Sequence, residues 1–157
     1  MNHDILHERR DFRDARALIE WAGREYSERI AYSFRKAPND TKVVTITFRE
    51  FRDDVRALAS ELLSMGCAGK HLVVIGKFSY DFALMYFATF AIGAVLVPLD
   101  RDWHAEDLAD TAEKAGADFL FCDEDIAEKA EAIAARGVLK APPVFMLAKT
   151  SESTLTR

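Results

Sequence analysis

Carboxylates and lysines gather where this sequence changes from apolar runs to polar turns, and such places are where a side chain can meet a ligand. Asp100 and Asp102 follow the run AVLVP, and Asp123, Glu124 and Asp125 follow DFLFC. Gly76 ends the run LVVIG, and Lys77 and Ser79 follow it in the segment GKFSYDF. If these runs are strands of an open α/β sheet, the turns lie at the end where ligands bind. Asp100, Trp103, Asp123 and Ser79 are then candidate contacts. Simpler roles stand beside each: Ser79 as a helix N-cap, Asp123 or Asp125 as a cap, and Asp100 as the start of a turn. No basic, nucleophilic or metal-ligating partner of the carboxylates is evident, so no catalytic residue is assigned.

Other chemistries are poorly served. All seven glycines are isolated, with no GxGxxG and no GxxxxGK[ST], so no loop presents successive backbone N–H groups to a phosphate. His3 and His7 are four apart, but no cysteine or carboxylate set completes a metal site, and none is expected. Cys67 and Cys122 are far apart and form neither a metal spacing nor a disulfide framework, which suits a reduced, cytoplasmic setting. A net charge of -5 argues against nucleic-acid partners. The charged opening MNHDILHERRDFRD has no apolar segment of the secretory type.

Elements that could position these residues follow from periodicity. Phe12, Ala15, Leu18, Ile19, Ala22 and Tyr26 recur at three and four and predict a helix from Asp11 to about Ser27. Ile30 to Phe34 and Val43 to Phe48, separated by APND, predict a hairpin. Thr47 and Glu50 have capping-box spacing, with Ile46 and Phe51 at the staple positions, so a second helix begins there; Gly66 ends it. Four apolar runs then alternate with helical segments: LVVIG, AVLVP, DFLFC and VFMLA. This alternation predicts right-handed crossovers and a mostly parallel sheet with helices on both faces. The apolar stretch from Phe82 to Val97 is shorter than the roughly twenty residues of a membrane span and is divided by Gly93, so it reads as a buried helix and strand. Residues 1–149 are expected to form one α/β domain, and 150–157 a polar tail.

The stretch ITFREF, the helix ending MGCAGK, the strand leading to SYDF, and IGAVLVPLD followed by a helix and DFLF together resemble the N-terminal region of AMP-forming acyl-CoA synthetases. These belong to the adenylate-forming ligase superfamily, and SYDF and VPLD look most like its long-chain fatty-acid members. Lys70 and His71 depart from an acidic-then-basic pair common at that place, and Phe78 from an asparagine. The resemblance implies a partial N-terminal subdomain of an enzyme that uses ATP, magnesium and coenzyme A, with the remainder of the ligase or a homo-oligomer as partner. The family's phosphate loop, magnesium region and lid lysine have no counterpart in these residues, so the chain alone is expected to be inactive. Ser79, Asp100 and Trp103 are its candidate substrate-binding residues. A non-catalytic interaction module and a small-ligand-binding doubly wound domain are the alternatives.

Overall fold

A computed structural model describes residues 10–36, 39–146 and 155–156. Helix α1, Ala15–Glu25, begins later than the periodicity predicts because Asp14 caps it: the carboxylate accepts the Ala17 N–H at 2.8 Å. Strands β1, Ile30–Phe34, and β2, Val44–Thr47, pair antiparallel, with a bulge between Ile30 and Tyr32. Part of the APND turn lies outside the described residues. Phe48 belongs to the next helix, not to β2, because the capping box forms directly ahead of it.

Helix α2, Phe48–Ser64, carries that box in full: Thr47 Oγ1 accepts the Glu50 N–H at 3.2 Å, and Glu50 Oε2 accepts the Thr47 N–H at 2.8 Å. Thr47→Ala leaves the Glu50 N–H without its acceptor. It is expected to cost about 1 kcal/mol, read as a lower urea midpoint at unchanged slope. At the other end Gly66 takes φ +79°, a conformation that L side chains rarely adopt. Its N–H reaches the Leu63 carbonyl and the Cys67 N–H reaches that of Leu62, each at 3.0 Å. This pair of bonds satisfies two carbonyls at the helix end and turns the chain toward the sheet. The same pattern recurs at Gly93 and Gly116, where the helices before the next two strands stop.

Beyond α2 the chain alternates as the apolar runs predict: β3 His71–Ile75, α3 Tyr80–Ala91, β4 Val95–Pro98, α4 Ala105–Lys114, β5 Phe119–Asp123, a 3₁₀ turn at Glu124–Ile126, α5 Ala127–Ala134 and β6 Val144–Met146. Strands β4, β3, β5 and β6 lie side by side in that order, all parallel. A short strand β7, Leu155–Thr156, pairs antiparallel with β6; the rest of the expected tail lies outside the described residues.

Alternation along β3 and β5 sorts the core into two layers. Leu72, Val74, Phe119 and Phe121 face a cluster built with α1, α2 and α3. Val73, Ile75, Leu120 and Cys122 face one built with α4 and α5. The sheet is therefore covered on both sides, as parallel sheets are. The hairpin adds aromatic contacts at the start of α3, where Tyr32 and Phe34 lie 5.3 and 5.6 Å from the Tyr80 ring. Tyr80 donates its hydroxyl to Asp54 at 2.6 Å, and burial, reinforced by that bond, pushes the phenol well above its usual range. No helix among the described residues is long and apolar enough to cross a membrane.

Candidate functional site

The strand order places a crevice between β3 and β5. The crossover from β3 runs over the α3 side and the one from β5 over the α5 side, so the two turns diverge at the carboxyl ends of neighbouring strands. In open α/β sheets ligands bind at such a switch point. Here the protein's own side chains occupy it. Asp123 Oδ2 accepts the Lys77 backbone N–H at 2.7 Å and Arg101 Nη1 at 3.2 Å. Asp125 Oδ2 accepts Lys77 Nζ at 2.6 Å and Arg101 Nη2 at 2.9 Å. Lys129 Nζ donates to the carbonyls of Arg101 and Trp103, fixing the turn after β4 from below.

Two cations and two carboxylates thus neutralise one another at the switch point. The cap expected of Asp123 or Asp125 does not form: neither side chain accepts a helix N–H, because both are held by Lys77 and Arg101. The hydrogen bond from Lys77, then that from Arg101, holds the Asp125 carboxyl below its usual range. Asp118 is lowered in the same way, chiefly by Lys140 and then by the His71 N–H. A carboxylate with a depressed folded pKa stabilises the fold fully above the ordinary aspartate range near pH 4, and the contribution is lost as pH falls through the folded value. Asp125→Asn should therefore flatten the loss of urea stability on acidification from about pH 5 to 3. A variant as acid-sensitive as the parent would show that the network contributes nothing.

The sequence-derived candidates separate. Ser79 is the N-cap of α3, its Oγ accepting the Phe82 N–H at 3.1 Å. Asp100 accepts the Asp102 N–H at 2.9 Å, a turn-forming bond, and borders a cavity of about 490 Å³. That cavity has Phe82, Tyr86 and Pro98 on its wall and Lys77 and Arg101 at its rim. Trp103 lies outside it, in a neighbouring hollow beside Asp107 and Asp110. Among the described residues no group of His, Cys, Asp and Glu could hold a metal ion. His3 and His7 lie outside the described residues. Arg101 escaped the sequence reading; its position directly after Asp100 at a strand end was the available signal.

Residues 19–155 match the family described as AMP-binding enzyme. The chain belongs to that family. Among the relatives of this AMP-binding chain, the long-chain-fatty-acid–CoA ligase FadD15 of Mycobacterium bovis is 33% identical over 81 residues, covering 51% of this chain and 14% of that protein. The phosphinothricin tripeptide synthetase PhsC of Streptomyces viridochromogenes is 31% identical over 100 residues, covering 60% of this chain and 9% of that one. A solved fatty acyl CoA synthetase from Mycobacterium tuberculosis superposes with a TM-score of 0.71 at 17% identity, over 84% of this chain and 26% of that structure.

This AMP-binding chain therefore spans a small part of the relatives it matches. Its sheet, hairpin and leading helix match part of the N-terminal subdomain of adenylate-forming enzymes. The family uses ATP and magnesium. The described residues do not fit either group: no glycine-rich loop faces the crevice, no ligand set exists for the ion, and the available cations are already paired. No step through ATP or magnesium is derived from these residues.

Proposed function

We propose that residues 1–149 are part of the N-terminal subdomain of an AMP-forming long-chain fatty-acid–CoA ligase acting in the cytoplasm. In that reaction a fatty-acid carboxylate attacks the α-phosphorus of ATP, an acyl-adenylate forms and pyrophosphate leaves. The thiol of coenzyme A then takes the acyl group and AMP departs. This chain contributes the scaffold, and the remainder of the ligase, in the same or a separate polypeptide, contributes the chemistry. Residues 150–157 are a polar tail. Of this chain's residues, Ser79, Asp100 and Trp103 are the proposed substrate-binding ones.

Membership of the AMP-binding family carries the reading, and the self-neutralised crevice supports the division of labour. The choice of a fatty acid rests on the likeness to FadD15. The likeness to PhsC favours a second reading, in which the activated acid is an amino acid. ATP–pyrophosphate exchange by the chain together with its own remaining AMP-binding sequence, in the same or a separate polypeptide, separates the two. Exchange driven by fatty acids supports the first, exchange driven only by amino acids supports the second, and exchange with neither overturns both.

A further inference from the structure

Helices α1 and α2 and the end of α3 border a cavity of about 360 Å³. Ile19, Val55 and Ile92, all buried, supply its apolar floor, and Leu63, 49% exposed, stands at its edge. Ala59 and Ala91 present only methyl groups there, where larger side chains would fill the gap between the helices. The Val95 N–H, just beyond α3, bonds to the Lys70 carbonyl at the start of β3. The cavity therefore lies toward the amino ends of the strands, away from the crevice at their carboxyl ends. Arg56 and Glu20 close on each other across its mouth, with hydrogen bonds of 2.6 and 2.5 Å. Arg16 differs: its Nε and Nη2 donate to the Ala91 carbonyl, which leaves Nη1 without a partner among the described residues. Asp14, two residues earlier, is engaged by the Ala17 N–H and by Arg13.

We infer that this cavity binds a small carboxylate with an apolar tail, at a site separate from the crevice. The tail lies on Ile19, Val55 and Ile92, and the carboxylate accepts from Arg16. Charge complementarity chooses the head group. Two arginines against one glutamate make the mouth positive in a chain whose net charge is -5. Arg16 is held in place by a backbone carbonyl, so its guanidinium meets an anion without first being ordered. A neutral or cationic head would leave that charge unmatched. The size of the cavity, at the low end of the range for small-molecule sites, selects a short single chain. A membrane surface fits poorly, since the net charge of -5 repels anionic lipid. The site is complete within this chain, so its occupancy does not depend on the ligase reading.

Calorimetric titration of the chain with octanoate, below its micelle concentration, tests this. One-to-one binding is expected, with octanol and octylammonium weaker by about tenfold or more. Arg16→Met should weaken octanoate by about tenfold or more, and Arg16→Lys should recover part of the loss because the charge returns. Ala59→Phe fills the cavity and should abolish binding while the urea midpoint stays at or above the parent's. Binding no tighter than about 1 mM overturns the proposal. So does octanoate binding that is unchanged in Arg16→Met or in Ala59→Phe. Binding lost in Arg101→Met but kept in Arg16→Met would place the carboxylate in the crevice and overturn it as well.

Discussion

ATP–pyrophosphate exchange by the 157-residue chain alone, with fatty acid, ATP and magnesium, is expected to equal the protein-free blank. Adenylyl transfer needs charge stabilisation at the phosphorus from cations, metal and backbone donors. Losing a single preorganised donor commonly costs about two to three orders of magnitude in rate. Among the described residues no group of side chains could hold a metal ion, and the two cations nearest the crevice, Lys77 and Arg101, are committed to Asp123 and Asp125. Release of pyrophosphate from labelled ATP is the measurement. Exchange above the blank that disappears in Arg101→Met would place catalytic groups within these residues and refute the division of labour proposed above.

Phe121→Ala should be the most damaging single substitution for stability. Phe121 lies on β5, between β3 and β6, and is fully buried against the layer formed by α1, α2 and α3. Truncation there removes the ring's burial and leaves a cavity that surrounding strands cannot close, a loss of about 3–5 kcal/mol. Against a typical total of about 5–15 kcal/mol, that is a large fraction, and the thermal midpoint should fall by roughly 10 °C or more. Urea unfolding measures it directly. A loss below about 1 kcal/mol would mean that β5 is not central to the core.

Much of this fold is legible in the sequence because its signals are local. The capping box at Thr47 and Glu50 fixes α2, and the apolar runs mark the strands, of which the central β3 and β5 are buried on both faces while the edge strand β4 is partly exposed. Where a short-range bond competed with periodicity, the bond won: Asp14 delays α1, and the box takes Phe48 out of β2. The site was less legible for a different reason. Lys77, Arg101, Asp123 and Asp125 meet only because β4, β3 and β5 are neighbours, and strand order is not written in spacing. The same holds for the short pairing of β7 with β6, which no periodic pattern announces. Ser79 and Asp100 lie in the turns after β3 and β4, where their local bonds are a helix cap and a turn.

The recurrent glycine-ended turns have a consequence for how the chain comes off the ribosome. At Gly66, Gly93 and Gly116 the direction into the following segment is set by bonds within six residues, so each helix-to-strand corner is complete before distant sequence is made. The pairings of β3 with β4 and then with β5 follow in the order of synthesis. A chain built in this way can consolidate its sheet during synthesis and present a finished template to whatever assembles against it.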